Sequence, residues 1–253
     1  MKNITKINLL NIPISKITLK ELMDCINSTI QKKEKIYSIS LDAAGIVMML
    51  ENKDAYAAIK SADIISADGY YVVLASRVLG NPLPEQVFCV EIQRTCVELA
   101  YAKGYKIYFL GAEQDTLEKM IKFYSEKYSN SIIAGYRNGY FSADEEKDIV
   151  EIINKSGADI LLVGISSPKR ELFLNAYKNK LNVSFMSGVG GAFDIMGGKT
   201  KRAPKWIIKA KLEWLYRFIL EPRRLWKRIF HSYPKFVYYV MKEKFSPKSY
   251  AKE

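Results

Sequence analysis

Apolar and polar positions alternate along the first 200 residues in a way that predicts strands and helices in turn. Each short apolar run is followed by glycine or a polar turn. The predicted strands are Tyr37–Leu41, Asp63–Ala67, Lys106–Leu110, Ser131–Ala134, Asp159–Val163 and Val183–Met186. The helical periodicity between them predicts Glu91–Lys103, Thr116–Tyr128, Ala143–Lys155 and Pro168–Lys178. Runs that are apolar on both sides fit an α/β fold with a mostly parallel sheet and helices on both faces.

A different pattern starts at Pro204, which suits the first turn of a helix. The apolar positions that follow have the spacing of one helix face. They are Ile208, Leu212, Leu215 and Ile219. Pro222 is predicted to end or kink this helix, and a second basic, aromatic segment continues to Phe245. We therefore divide the chain into a Rossmann-like α/β body, residues 1–200, and a helical C-terminal appendage, residues 201–253.

The charge divides the chain at nearly the same place. The whole chain has a formal net charge of +12, and residues 199–253 hold 16 Lys or Arg against 4 Asp or Glu. Residues 1–198 carry 23 of each sign, so the body is neutral. The appendage also contains Trp206, Trp214 and Trp226, and basic and aromatic residues together are typical of helices at an anionic membrane surface. The apolar stripe equally fits a helix packed on the body, with the second segment contacting lipid.

Several classes of protein are disfavoured by composition. The three cysteines form no CxxC pair, which favours a reducing compartment. The N-terminus lacks a continuous signal-peptide apolar stretch, and no run approaches the ~18 apolar residues that span a bilayer. We expect a cytoplasmic protein, peripheral on the inner face of the cell membrane.

The only histidine, His231, lies in the appendage, which excludes a Ser–His–Asp triad in the body. Neither a zinc-spaced Cys/His cluster nor an Asp-x-Asp pair occurs, so we expect no metal and no cofactor.

The turns after the predicted strands hold the candidate site residues, because ligands bind at the carboxyl ends of a parallel sheet. These candidates are Ser40, Asp42, Asp68, Gly111, Gly164, Lys169, Arg170, Glu171, Gly188, Gly190 and Asp194. The glycine-rich segment 187–194 suits a phosphate cradle and a bare tight turn equally well. It lacks the G-x-G-x-x-G spacing, which disfavours a nucleotide-cofactor oxidoreductase.

Two of these candidates have ordinary explanations as well. A carboxylate at Asp68 is a candidate general base, although the local pattern favours an Asp that bonds its own turn. Lys169 and Arg170 are candidates for pairing with a nucleotide diphosphate, and a solvated charge pair explains them too.

Taken together, these segments resemble the WecG/TagA/CpsF family, glycosyltransferase family 26. Residues 61–69, SADIISADG, are similar to its ADL-x-x-x-DG signature, and residues 163–171, VGISSPKRE, to its G-x-PKQE. Residues 188–224 are similar to its C-terminal signature almost throughout. The resemblance extends from about Ile36 to Arg228.

The resemblance implies an inverting, metal-independent transferase. Such enzymes move a sugar from a UDP-sugar to a polyprenyl-diphosphate-linked sugar, for surface polysaccharide or teichoic acid synthesis. The donor sugar is of the N-acetylmannosamine type or a related hexose or uronic acid. By resemblance Asp68 is the catalytic base, and Arg217 and Arg224 complete the active site when the appendage docks at the membrane.

The sequence departs from the family pattern at expected pocket positions. The family's Thr-x-Asn reads Ser40-Leu41-Asp42, its Arg is Gln86, and its Gln is Arg170. A glycine of the family is Cys89. The family's Arg is absent at position 86, and an Arg is present at position 170 instead. The pair of changes is consistent with one cation in a new place. Unpaired polar groups reject substrates strongly, so these changes bear on which donor sugar is used, and Gln86 stays a candidate substrate-binding residue.

A non-catalytic membrane- or nucleic-acid-binding module is the alternative, because a basic tail suits either anion. Nucleic-acid binders usually spread basic charge over the body too, and this body is neutral, so we expect no nucleic-acid partner. The expected partners are a UDP-sugar, a polyprenyl-diphosphate-linked acceptor and an anionic membrane surface. An exposed apolar face on the appendage leaves a homo-oligomer open as well.

Overall fold

A computed structural model describes residues 4–246, in which a parallel sheet is covered by helices. The strands in these residues are β1 (Lys6–Leu9), β2 (Ile12–Ser15), β3 (Ile36–Leu41), β4 (Ile64–Ala67), β5 (Ile107–Gly111), β6 (Ile133–Arg137), β7 (Ile160–Gly164) and β8 (Phe185–Gly188). The α-helices of the body are α1 (Leu19–Gln31), α2 (Ala43–Glu51), α3 (Lys53–Lys60), α4 (Tyr70–Val78), α5 (Cys89–Lys103), α6 (Gln114–Lys127), α7 (Glu146–Lys155), α8 (Lys169–Tyr177) and α9 (Ala192–Met196).

The main sheet has the strand order β4-β3-β8-β7-β5-β6, and every neighbouring pair is parallel. The carboxyl ends of the six strands therefore lie at one edge. The register pairs Leu41 with Ala67, Ile39 with Gly188, and Val163 with Gly188. Because these residues end their strands or lie within two residues of the end, the turns after β3, β4, β7 and β8 emerge side by side.

Helices cover both faces of the sheet, as the apolar runs predicted. Alternate strand residues point to opposite faces, so Ile36 and Phe109 belong to one buried cluster and Tyr37 and Ile39 to the other. The first cluster includes residues of α1, α5 and α6, and the second includes residues of α2, α3, α7 and α8. The Rossmann-like α/β prediction is confirmed.

The six predicted strands correspond to β3–β8, and most of their ends agree within a few residues. The prediction for β6 starts too early because a 3₁₀ turn, Asn130–Ile132, occupies the start of that apolar run. The antiparallel hairpin of β1 and β2 was not predicted. Leu10 and Asn11 form its turn, both with positive φ, and Leu10 gives no turn signal in the sequence.

The appendage does not form the single helix that the spacing from Ile208 to Ile219 predicted, so that prediction is wrong. The stretch is divided into α10 (Lys205–Lys209) and α11 (Glu213–Leu220). Lys211, between them, has a φ of 62°, a left-handed conformation that ends a helix. The prediction for Pro222 is confirmed, since α11 ends before it and α12 (Pro222–Lys227) begins at it. A π-helical turn, Arg228–Ser232, then leads into α13 (Tyr233–Phe245).

The appendage lies against the body through apolar and charged contacts. Phe236 and Val240 of α13 are buried in the same cluster as Ile46 of α2. Lys235 pairs with Glu51 of α2 at 2.6 Å between Nζ and Oε1. Within residues 4–246, no helix combines the length and the apolar character needed to cross a bilayer. The boundary between body and appendage at residue 200 stays a prediction.

Candidate functional site

A cleft of about 1290 Å³ opens where the strands end. The turns after β3, β4, β7 and β8 line it from the body, and α11 lines it from the appendage. The predicted site residues in this lining are Ser40, Asp42, Asp68, Gln86, Gly164, Lys169, Arg170, Glu171, Gly190, Asp194 and Arg217. The appendage thus lies on the side of the fold where the strand-end turns emerge.

Two other predicted residues, Gly111 and Gly188, do not line the cleft. A Cβ on Gly111 would lie 2.4 Å from the carbonyl carbon of Gly164. A Cβ on Gly188 would lie 2.7 Å from Cδ of Arg170. Both glycines therefore serve close packing behind residues that do line the cleft. Arg224 belongs to α12, and its side chain lies outside the described residues.

Asp68 follows β4 directly and is held by contacts from several elements. Its backbone N–H donates to the carbonyl of Leu41 at 2.9 Å. Oδ1 of its carboxylate accepts from the N–H of Cys89, at the start of α5, at 3.0 Å. The side-chain amide of Gln86 donates to the Asp68 carbonyl. The carboxylate therefore accepts its hydrogen bond from the start of α5, 21 residues further along the chain. The prediction of a hydrogen bond within the local turn is wrong.

The surroundings of Asp68 make its carboxylate more basic. Burial raises the pKa of Asp68 above its ordinary value, and the neighbouring Asp42 carboxylate adds to the rise. The N–H of Cys89 and the guanidinium of Arg217 oppose it, with a smaller total effect. A carboxylate with a raised pKa in a cleft is a candidate general base.

Asp42 joins the body to the appendage. It caps the start of α2, where Oδ1 accepts from the N–H of Gly45 at 2.9 Å. Oδ2 accepts from Nη2 of Arg228, in the π-helical turn of the appendage. Burial alone would raise the pKa of Asp42, but the charge and hydrogen bond of Arg228, the N–H of Gly45 and the charge of Arg217 together outweigh burial and hold that pKa below its ordinary value. Asp42 is therefore ionised and paired while Asp68 is poised to take a proton.

Arg170 and Glu171 form a buried ion pair under the glycine-rich turn. Nη2 of Arg170 lies 2.5 Å from Oε1 of Glu171, whose side chain is fully buried. Ser167 donates from Oγ to the same oxygen at 2.8 Å and accepts from Arg170 at 3.1 Å. A Cβ on Gly190 would lie 2.9 Å from Nη1 of Arg170, so the turn fits closely around the guanidinium. The sequence also allowed Lys169 and Arg170 to be an ordinary solvated pair. Arg170 is buried, so that interpretation is wrong for it.

Two further candidates make contacts within the protein. The Lys169 ammonium lies 3.7 Å from the ring centroid of Phe141 and donates to the Phe141 carbonyl. Ser40 is buried, and its hydroxyl bonds the hydroxyl of Ser66 at 2.7 Å. Both side chains therefore shape the cleft while their polar groups are already paired.

The α11 side of the cleft presents unpaired donors. A Cβ on Gly191 would lie 3.3 Å from Nη2 of Arg217, so this guanidinium reaches the glycine-rich turn. Nε of Arg217 and Nε1 of Trp214 are buried and have no hydrogen-bond partner within residues 4–246. Leaving a buried donor unpaired costs about 1–3 kcal/mol. These donors suit a ligand that brings acceptor oxygens, such as a phosphate.

Sequence reasoning missed Glu213, Trp214, Arg228 and Tyr233, which also line the cleft. A signal was present for the first of these. Glu213 and Arg217 are the two charged residues of α11 and stand four apart, so they lie on one face of an otherwise apolar helix. Arg228 gave a weaker signal, since it follows Arg224 by four residues in a segment rich in basic residues.

Metal ligands do not cluster in this cleft. Among residues 4–246, no group of three or more His, Cys, Asp or Glu side chains is placed to hold a metal ion. The cleft brings together the carboxylates of Asp42, Asp68 and Glu213 and the guanidinium groups of Arg217 and Arg228.

The profile of the family described as "Glycosyl transferase WecG/TagA/CpsF family" matches residues 7–250. The chain is 32% identical over 201 residues to the N-acetylglucosaminyldiphosphoundecaprenol N-acetyl-beta-D-mannosaminyltransferase of Bacillus subtilis (strain 168), covering 79% of this chain and 77% of that protein. A protein of the same name from Staphylococcus aureus (strain NCTC 8325) is 29% identical over 247 residues, 96% of this chain and 94% of that one. The family match includes both the strand-end turns and α11. The chain belongs to the WecG/TagA/CpsF family of glycosyltransferases.

Proposed function

We propose that this protein transfers a sugar from a UDP-sugar to a sugar carried on a polyprenyl diphosphate, with inversion at the anomeric carbon and without a metal ion. The observation that carries the proposal is Asp68, a carboxylate of raised pKa in a cleft that also presents the unpaired N–H donors of Arg217 and Trp214. The names of the relatives support an acceptor of the N-acetylglucosaminyl-diphosphoundecaprenol type and an N-acetylmannosamine donor.

The reaction needs a base on one side of the anomeric carbon and cations on the other. Asp68 takes the proton of the attacking acceptor hydroxyl, whose oxygen forms the new bond to the anomeric carbon. The bond from that carbon to the diphosphate oxygen breaks, and UDP leaves with the electron pair. Because the attack comes from the side opposite the leaving group, the configuration inverts.

Charge on the departing diphosphate must be met by donors of the protein. Arg217 and the backbone N–H groups of the turn at Gly190 and Gly191 are close to each other and can pair with phosphate oxygens. Donors fixed before the reaction stabilise developing charge effectively, because they need no reorganisation. In this proposal the appendage supplies the cation that a metal ion provides in other transferases.

The appendage also supplies the membrane contact in this proposal. Trp206 and Phe230 are 69% and 65% exposed, and Lys205, Lys209 and Arg223 are exposed near them in the sequence. Apolar and cationic side chains together bind anionic lipid surfaces. The enzyme would then act as a peripheral protein on the membrane face that carries the lipid-linked acceptor, in the synthesis of a wall teichoic acid or another surface polysaccharide.

The test is UDP release from UDP-N-acetylmannosamine in the presence of a short-chain polyprenyl-diphosphate N-acetylglucosamine. We expect turnover in the presence of EDTA and a product whose anomeric configuration is opposite to that of the donor. Asp68→Asn should lower kcat by about 10²–10⁴-fold. The matched control is Asp144→Asn, an exposed aspartate in the loop before α7, which should stay close to the parent rate. An Asp68→Asn protein that turns over at the parent rate would remove Asp68 as the base.

A further inference from the structure

Glu213 is an acidic residue of the appendage that lies in the cleft without a hydrogen-bonding partner. It begins α11 and lines the cleft, together with Trp214 and Arg217 of the same helix. Among the side chains and backbone groups that the structure describes, none donates a hydrogen bond to its carboxylate. Another appendage glutamate of the cleft, Glu221, accepts from the hydroxyl of Thr200 at 2.9 Å.

The groups around Glu213 come from both parts of the molecule. Burial raises the pKa of Glu213 above its ordinary value, and the carboxylate of Asp68 raises it further. Arg217 on α11 and Arg202 before α10 oppose the rise, and Glu91 of α5 adds to it. Two carboxylates, one from the body and one from the appendage, therefore face the same cleft within electrostatic range.

A carboxylate held in this way is unfavourable in the empty protein. Like charges in a partly buried site repel, and partial burial removes some of the hydration of a carboxylate. The position of Glu213 in the first turn of α11 favours a negative charge, yet its pKa is raised on balance. A ligand that brings O–H or N–H donors would remove this cost.

We propose that Glu213 is a substrate-binding residue, whose carboxylate accepts a hydrogen bond from a hydroxyl or amide N–H of the acceptor sugar near Asp68. This inference rests on the function proposed above. An ionised carboxylate is an acceptor only, so it selects ligand atoms that carry hydrogen. The diphosphate oxygens of either substrate carry none, which leaves a sugar. Of the two sugars, the acceptor is the one whose hydroxyl reaches Asp68 in the proposed reaction, and the Asp68 carboxylate acts on Glu213 electrostatically.

The position of Glu213 ties recognition of the sugar to the appendage. Asp68 reaches the attacking hydroxyl from the body, whereas Glu213 reaches the acceptor sugar from α11. The acceptor sugar is then bound well only when α11 lies against the strand-end turns. Binding of the acceptor and docking of the appendage are therefore coupled. A body whose appendage is displaced would bind the UDP-sugar but not the acceptor.

The test compares Glu213→Gln with Glu243→Gln in the full-length protein. Glu243 is a suitable control because it is also an appendage glutamate whose pKa is raised by burial, but it lies on α13 beside Leu10 and outside the cleft. We expect Glu213→Gln to raise KM for the polyprenyl-diphosphate sugar by about 10-fold, the loss for one charged hydrogen bond, with kcat within a few-fold of the parent. KM for the UDP-sugar should not change, and Glu243→Gln should match the parent in all three.

Other outcomes separate the possibilities. A fall in kcat with unchanged acceptor KM would overturn the proposal, because it would mean that Glu213 acts on Asp68 and not on the sugar. Equal losses in every parameter, with a lower melting temperature, would mean a purely structural role and also overturn it. Glu213→Asp, which keeps the charge on a shorter side chain, should recover part of the acceptor affinity. If the parent protein itself releases no UDP with this acceptor, the function proposed above fails and this inference falls with it.

Discussion

The body and the appendage are held together in different ways. The body buries two apolar clusters against a six-stranded sheet, and its acidic and basic residues are equal in number. The described helices of the appendage bury few side chains, among them Phe236 and Val240, and expose many large apolar ones. Their basic residues pair with acidic residues of the body, as Arg228 does with Asp42 and Arg202 with Glu91. A segment without a core of its own thus supplies one side of the cleft.

This difference teaches that the excess positive charge has two uses. Part of it neutralises body carboxylates at the edge of the cleft, and the remainder faces outward beside exposed aromatic residues. Sequence analysis assigned the whole excess to anionic partners outside the protein. Variants that remove one use and keep the other should therefore have separate effects.

Removal of the appendage should have the largest effect. A chain that ends at Lys201 lacks Glu213, Arg217 and Arg228, so we expect UDP release with the lipid-linked acceptor to fall by about 10³-fold or more. Circular dichroism should show that the α/β content of the body remains. Full-length Arg217→Gln tests the same cation without truncation and should lose about 10²-fold in kcat. Full activity of the truncated chain would contradict the assignment of one side of the cleft to the appendage.

Vesicle binding should show the next largest effect. We expect the parent protein to co-sediment with phosphatidylglycerol vesicles and to be released by high salt. Replacing Trp206 and Phe230 by serine removes two large exposed apolar side chains and should lower the partition coefficient by about 10-fold or more. Tyr101→Ser in α5 of the body is the control, since Tyr101 is 56% exposed and should not affect binding. Equal losses from both proteins would mean that no particular face contacts the lipid.

Loss of the contact between Asp42 and Arg228 should have a smaller effect, which is on the stability of the folded protein. Arg228→Ala leaves the Asp42 carboxylate partly buried without its partner, and we expect about 1–2 kcal/mol less stability in urea unfolding at pH 7. Lys235→Ala breaks the more exposed pair with Glu51 and should cost about 0.5 kcal/mol or less. The pKa of Asp42 is lowered in the folded protein, so its contribution is present above the unfolded value of about 3.9 and is lost as the pH falls through the depressed value. The two variants should therefore differ less in acid.

The smallest expected effect is a gain in stability from the substitution Glu213→Gln. The pKa of Glu213 is raised in the folded protein by burial and by Asp68, so ionising it opposes folding. Stability of the parent should decline as the pH rises through that raised pKa, and Glu213→Gln should remove the decline. We expect the variant to melt slightly above the parent at pH 8 and at the same temperature well below the pKa. A variant that melts lower at both pH values would show that the carboxylate stabilises the fold.

The sequence predicted the sheet well because its strands are buried on both faces, and such runs stand out as uninterrupted apolar segments. It predicted much of the cleft lining for a related reason, since parallel strands place their following turns together and Asp42, Asp68 and Gly190 each follow a strand. The structure of the appendage was predicted less well. Its apolar positions fit one helix, and no residue type marked Lys211 as the break, because a lysine seldom adopts a positive φ.

Pairing partners were the other part that the sequence could not provide. Lys169 and Arg170 are adjacent, yet one lies on the Phe141 ring and the other is buried against Glu171. Similarly, Asp42 pairs with a residue 186 positions away. Which charges meet depends on the packing of distant segments, and periodicity carries no information about that. Arg224 stays a prediction from the family resemblance.

The break at Lys211 has a consequence for engineered hybrids of this protein. Successive residues of an α-helix are rotated by about 100° about its axis, so adding or deleting one residue in the link between α10 and α11 would turn the edge that carries Glu213 and Arg217 away from the strand-end turns. The spacing of residues 210–212 should therefore be maintained when a C-terminal segment is exchanged between relatives. An exchange that changes this spacing would yield a folded enzyme that is misaligned with its own substrate.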